Sequence, residues 1–368
     1  MASNFKLHLK VFFRLVFFVA LVQLVFLFLR HRDTKGWRVG HLNNGEFRLQ
    51  TGDTYSSAEN ATLGFQSIQY INLAGMYDKE DAIIMQSVAS GIEMARFDAV
   101  GTENLQPNGK GLPPRSSDYK LLDGERACFR SHMAVWQKMV KENIQTMLIV
   151  EDDAMWDVNI KRIHKRIARG IHELNKKLDT NYSANPNDPY SSQSWDILLF
   201  GSCFDRENMK EKSVIIHDPD APVGQEYFGT PLEDQRVVRR LPFMACTTAY
   251  ALTLQGAKRL LLLSAIDMNL PIDIVMGEAI SDKKLVAMSV YPPTMPQWRY
   301  VEGIGADNLG SAIQDAENVK EDNTEEIWDT IKKNMNVWDL KKTFRHARPR
   351  SPAIEAFRNS AYPEYFNL

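Results

Sequence analysis

The sequence predicts an α/β fold, a mostly parallel sheet flanked by helices, preceded by a single transmembrane helix and a stem. Three observations support this. Short apolar runs of strand length alternate with segments whose apolar residues recur every three or four positions. One run, Met147 to Val150, stops at three consecutive carboxylates, Glu151, Asp152 and Asp153, as a strand does when its carboxyl end opens onto a ligand site. Val11 to Leu29 is apolar apart from Arg14 and Gln23.

Taken in order, Val11 to Leu29 would span about 28 Å as a helix, close to the hydrocarbon thickness of a bilayer. Arg30, His31 and Arg32 follow it, where a signal peptide would need a small-residue cleavage site. Lys6 and Lys10 compete with Arg30, Arg32, Lys35 and Arg38, so charge alone leaves the orientation open. Residues 30–65, rich in Gly, Asn, Thr and Ser without apolar periodicity, read as a flexible stem. Ser67 to Leu73 reads as a first strand. A helix from about Lys79 to Glu93 follows, with Ile83, Ile84, Ser87, Val88 and Gly91 on its inner face. Arg96 to Val100 is a second short strand, and Gly101 to Ser117 a Pro/Gly-rich loop long enough to cover a substrate.

Asp123 reads as the N-cap of a helix over Gly124 to Glu142, on which Glu125, Cys128, His132, Val135, Trp136 and Met139 share one face. Cys128 reads as core. Gln145 to Val150 is the acid-tipped strand. Ile160, Ile163, Ile167, Ile171 and Leu174 mark an amphipathic helix whose Lys161, Arg162, Lys165, Arg166 and Arg169 form a solvated basic face. After a loop from Asp179 to Ser194 come strands at Trp195 to Gly201 and Tyr250 to Thr253, a helix from Leu254 to Leu263, and a late strand from Leu285 to Tyr291.

The chain has 368 residues, 44% of them hydrophobic, enough for a sizeable core. Its net charge is −2 with both signs interspersed, which excludes the basic field a nucleic-acid binder needs. Cys128, Cys203 and Cys246 are too few for a disulfide framework or a structural zinc site, although one bond between Cys203 and Cys246 is open.

Two carboxylates about 5 Å apart at an effective dielectric of about 20 repel by roughly 3 kcal/mol. Glu151, Asp152 and Asp153 together therefore call for an offset, and a divalent metal carrying a diphosphate needs only one or two protein carboxylates. A solvated acidic turn capping the next helix is the other reading.

Four blocks then stand together: Leu122-Asp123-Gly124-Glu125-Arg126-Ala127-Cys128-Phe129-Arg130-Ser131-His132, Val150-Glu151-Asp152-Asp153-Ala154, Trp195-Asp196-Ile197-Leu198, and Tyr250-Ala251-Leu252-Thr253-Leu254-Gln255-Gly256-Ala257. In this order they resemble glycosyltransferase family 25, the family of bacterial lipooligosaccharide and collagen galactosyltransferases. The similarity extends more weakly from Ile71 to about Ser311, and a fungal member would fit it. The resemblance implies a GT-A-like fold over residues 66–346, a UDP-sugar donor, Mn²⁺ (or Mg²⁺) and transfer with inversion. Glu151 and Asp153 correspond to metal ligands, Asp153 first, and Asp152 to a diphosphate-side residue. Ile71 and Asn72 resemble the start of the nucleotide pocket, with Glu125, Ser131 and His132 as further donor-site residues. Family members follow the first strand with an Arg-rich turn, whereas this chain has Ala74-Gly75-Met76-Tyr77-Asp78-Lys79.

Inversion by direct displacement needs a general base at the acceptor hydroxyl. Asp273, in the family's Pro-x-Asp element, is the nominee, against a plain N-cap role. Gln297 and Ser311 resemble late family positions, and Trp298 has a face on which a sugar can stack. The implied protein is a single-pass type II transferase of the Golgi or another secretory membrane. Residues 1–10 are then a cytosolic tail, 11–29 the anchor and 347–368 a peripheral tail. Its partners are the UDP-sugar, a glycan or glycoprotein acceptor and the membrane. A catalytically silent sugar- or nucleotide-binding protein of the same fold is the alternative.

Overall fold

Strand β1 (Ser67–Asn72) pairs in parallel with β2 (Ala95–Asp98) on one side and with β3 (Thr146–Glu151) on the other. The structure, a computed structural model, describes residues 54–107, 110–113, 121–201, 212–222, 224–266 and 268–297, together with Ser360. Five further strands extend this sheet: β4 (Ile197–Leu199), β5 (Ser213–His217), β8 (Gln235–Arg240), β9 (Ala249–Thr253) and β10 (Ala287–Tyr291). A small hairpin of β6 (Glu226–Tyr227) and β7 (Thr230–Pro231) stands apart from it. The order across the eight strands is β2-β1-β3-β9-β4-β10-β8-β5.

The sheet is mixed, not mostly parallel. Six strands point one way, but β9 and β8 run against them and each sits between two forward strands, so their four pairings are antiparallel. The reversal at β8 was illegible in the sequence because Gln235–Arg240 reads as polar. Arg236 and Arg239 are nevertheless buried. Arg236 donates from Nε to Asp218 at 2.6 Å, and Arg239 donates to the Ser289 hydroxyl at 2.9 Å while lying over the rings of Tyr227 and Tyr291. Partners of this quality are what permit buried guanidinium groups.

Side chains alternate along a strand, and β3 shows how this fills two layers. Leu148 and Val150 enter one apolar core, and Met147 and Ile149 enter the other. The first core is closed by α1 (Tyr77–Ser90) and α3 (Ile160–Leu178), the second by α2 (Asp123–Lys141), α4 (Leu254–Ile266) and α5 (Ile272–Ser281). The predicted apolar stripe of α3 is buried throughout. Its basic face is not simply solvated: Lys165 pairs with Glu59, Arg166 with Asp218 and Asp220, and Arg169 lies over Tyr55.

On α1 the predicted inner face is shifted. Ile84 and Val88 are exposed, while Ala82, Ile83, Gln86 and Ser90 face inward. Gln86 is buried because its amide bonds the carbonyls of Ala82 and Ala154 and the N–H of Trp156. Residues 54–65, predicted as stem, pack into the domain: Leu63 and Phe65 are buried, Phe65 stacks on Tyr190, and the Tyr190 hydroxyl donates to the Leu63 carbonyl.

Among the described residues no helix is long and apolar enough to cross a membrane; the predicted anchor at Val11 to Leu29, Cys203, Trp298, Ser311 and nearly all of 347–368 lie outside the described residues. Cys246 is disulfide-bonded and Cys128 is a free thiol.

Candidate active site

The forward direction of β1 and β3 brings their carboxyl ends side by side, with Ile71 in register with Glu151. Asn72, at the tip of β1, is buried, and its amide nitrogen donates to the Met76 carbonyl at 3.2 Å and to Asp152 at 3.0 Å. These two acceptors fix the amide so that its oxygen points elsewhere, and that oxygen is buried without a hydrogen-bond partner. Asp152 also takes an ion pair from Lys79 at 3.0 Å. Burial outweighs these contacts and holds the Asp152 carboxyl above its usual range. Lys79, in the first turn of α1, supplies a cation at the acid cluster.

Glu151 is gripped on one oxygen by Thr247, whose hydroxyl donates at 2.6 Å, and by His132 Nε2 at 3.2 Å. Burial alone would push its carboxyl up, but those bonds, with the charges of His132 and Lys79, bring it below the usual range. Asp153 is different. One oxygen accepts from the Gln297 amide at 2.8 Å, and the other is buried without a partner. Burial, followed by repulsion from Glu151, raises its pKa to about 6. Gln297 reaches Asp153 because the segment after β10 bridges back to Ala154, with the Met155 N–H bonded to the Pro296 carbonyl.

Helix α2 supplies the second wall. Its start is held by Glu125, whose carboxylate accepts the Leu122 N–H at 2.8 Å, while Asp123 is the first helical residue and pairs with Arg126. The predicted cap therefore belongs to Glu125, which makes one half of a capping box; the Leu122 side chain has no acceptor to return the contact. Ser131 is engaged with backbone groups. Its hydroxyl donates to the Ala127 carbonyl and accepts the Val100 N–H, tying α2 to the loop after β2. His132 is buried, and its Nδ1 meets the Tyr250 hydroxyl at 2.8 Å, to which Trp136 Nε1 donates at 3.0 Å. Trp136, Tyr250, His132 and Glu151 thus form a chain of hydrogen bonds from the core to the strand tip.

Cys128 borders both the core and this site. Its thiol is pushed up by burial and then by the charges of Glu151, Asp273, Asp153 and Glu125. Asp273, in the first turn of α5, accepts the Cys246 N–H at 3.0 Å on one oxygen and the Ile274 N–H at 2.9 Å on the other. Since Thr247 follows Cys246, one loop connects Asp273 to Glu151. Sequence reasoning had no signal for Thr247 or Lys79. Thr247 lies in no motif, Lys79 only ends the segment that departs from the family, and each acts through a contact to a residue distant in the chain.

Glu151 and Asp153 offer hard oxygen donors of the kind a divalent cation takes, and one buried Asp153 oxygen has no protein partner, whereas Asp152 is engaged by Asn72 and Lys79.

Comparison with known proteins places the chain in a family. Residues 65–276 match the model of Glycosyltransferase family 25 (LPS biosynthesis protein). The chain is 24% identical over 317 residues to Procollagen galactosyltransferase 1-B of Xenopus laevis, covering 79% of this chain and 44% of that protein. It is 24% identical to a Glycosyltransferase 25 family member of Drosophila melanogaster over 78% of this chain and 44% of that one. It is 23% identical to Procollagen galactosyltransferase 2 of Mus musculus over 80% and 44%. The chain therefore spans somewhat under half the length of these curated relatives. It belongs to glycosyltransferase family 25, whose model matches residues 65–276.

Proposed function

We propose that the chain transfers a hexose, galactose in the first instance, from a UDP-sugar to a hydroxyl of a glycan or glycoprotein, with inversion at the anomeric carbon. The observation that carries this reading is the acid-tipped strand β3, with Asp153 presenting a buried oxygen that has no protein partner. Glu151 and Asp153 would hold Mn²⁺ (or Mg²⁺). Such an ion, when bound, neutralises charge developing on the departing diphosphate. Asn72 offers its unpartnered amide oxygen to a donor on the nucleotide sugar, and Lys79 keeps positive charge beside Asp152. Asp273 receives the proton of the attacking hydroxyl; its two backbone N–H bonds fix its orientation and leave a lone pair on each oxygen. The relatives named procollagen galactosyltransferases support galactose and a collagen-type acceptor.

We also propose that Val11 to Leu29 anchors the chain in a secretory-pathway membrane, Golgi included, with the domain lumenal.

The test is a panel of UDP-sugars assayed for Mn²⁺-dependent hydrolysis, with Asp153→Asn as control. Turnover of one sugar that the variant loses supports the proposal; no turnover with any of them removes it. The Lys79–Asp152 pair motivates a second reading, a silent binder in which a lysine occupies the acid cluster. Calorimetry showing tight UDP binding in a protein without turnover would favour it.

A further inference from the structure

Cys128 and His132 lie four residues apart on α2, so both side chains project from the same helical face toward the tip of β3. The Cys128 sulfur, a His132 ring nitrogen and a Glu151 carboxylate oxygen all lie within 4.8 Å of one another. A tetrahedral zinc ion with bonds of about 2.0–2.3 Å spaces its ligands about 3.4–3.6 Å apart. His132 Nε2 and Glu151 Oε1 already stand 3.2 Å apart, so the sulfur has about 1 Å to close. Metal-binding histidines characteristically have their second ring nitrogen held by another group. Here Nδ1 is held at 2.8 Å by Tyr250, itself fixed by Trp136. The donor set of one sulfur, one nitrogen and one oxygen is soft to borderline, unlike the all-oxygen pair Glu151 and Asp153, which would have to share the Glu151 carboxylate with it.

We propose that Cys128, His132 and Glu151 form a second cation site, selective for thiophilic divalent ions such as Zn²⁺, whose occupation takes Glu151 away from the hard cation and so switches the transferase off. Binding is independent of the transferase reading; the effect on turnover rests on it. Three protein ligands leave a fourth position for water, the arrangement of an exchangeable ion and not of a closed structural one.

The decisive measurement is titration of the purified chain with Cd²⁺ alone, followed by the ultraviolet thiolate-to-cadmium charge-transfer band, and with Zn²⁺ alone by calorimetry. The wild type should show the band at one equivalent, and Cys128→Ser should lose it while keeping the wild-type circular dichroism and melting curve. If the serine variant is poorly folded, Cys128→Ala takes its place. In Mn²⁺-supported UDP-sugar hydrolysis, Zn²⁺ should inhibit, excess Mn²⁺ should relieve the inhibition, and Cys128→Ser should raise the inhibiting Zn²⁺ concentration at least tenfold without changing the zinc-free rate. No cadmium band in the wild type, or an equal band or equal inhibition in the variant, overturns the proposal. If the band forms as expected and no UDP-sugar is turned over, the cation site stands and the transferase reading is the one that fails.

Discussion

Replacing Asp153 with Asn should stabilise the metal-free protein while abolishing its activity. The pKa of Asp153 stands at about 6, against an ordinary aspartate near 4, so the folded state disfavours its ionised form. A displacement of about two units corresponds to about 3 kcal/mol. One carboxylate oxygen is buried but the residue as a whole is partly exposed, and solvent screening reduces the expected penalty to about 1.5 kcal/mol. The sign follows from linkage: with the folded pKa above the unfolded one, this stabilising preference for the neutral form is fully present below about pH 4. It is lost as pH rises through about 6. At pH 7.5 the wild type therefore bears the whole penalty and the uncharged variant bears none. Asn can still accept the Gln297 N–H that Asp153 accepts at 2.8 Å. Urea unfolding in the presence of chelator should show the variant more stable by about 1.5 kcal/mol at pH 7.5, a gain that shrinks to a few tenths by pH 4. Mn²⁺ at a hundred times its dissociation constant should then stabilise the wild type by about 2.7 kcal/mol and the variant hardly at all, inverting the order. A variant less stable than wild type in chelator at pH 7.5, or equal stabilisation of both by Mn²⁺, would refute the reasoning.

Thr247→Val removes a 2.6 Å hydrogen bond to the ionised Glu151, worth about 1.5–3 kcal/mol for a charged acceptor. Mn²⁺ affinity measured by calorimetry should fall at least tenfold, and an unchanged affinity would mean that Glu151 is no ligand. Asp273→Asn should lower kcat by two orders of magnitude or more with Mn²⁺ and UDP binding kept within threefold. Asn keeps one of the two oxygens that accept the Cys246 and Ile274 N–H groups and Ala keeps neither, so Asp273→Ala should lower the melting temperature more than Asp273→Asn; a wild-type kcat in the Asn variant would exclude Asp273 as base. Gly256→Ala places a Cβ 2.6 Å from the Asp196 carbonyl oxygen and 3.0 Å from Leu252. Backbone cannot yield as a side chain can, so denaturant unfolding should show a loss of about 1–3 kcal/mol, with turnover per folded molecule retained.

What the sequence determined by itself was local and periodic. The stripe from Ile160 to Leu174, the run from Met147 to Val150 and the acids that end it announce their burial and their place on the sheet through spacing, because helix and strand each repeat at a fixed interval. The family blocks likewise located α2 and β3, and with them most of the site. The tertiary structure decided whatever depends on partners distant in the chain. It buries Arg236 and Arg239 because Asp218, Ser289 and two tyrosine rings receive them, which makes a central strand from a segment that reads as polar. It turns Gln86 inward where Ile84 and Val88 suggested the core. It gives Ser131 to the Val100 backbone, brings Lys79 to Asp152 and Thr247 to Glu151, and leaves one Asp153 oxygen without a partner. A hydrogen bond or ion pair joins two atoms in space and leaves no period along the chain, so only the folded arrangement could assign these roles.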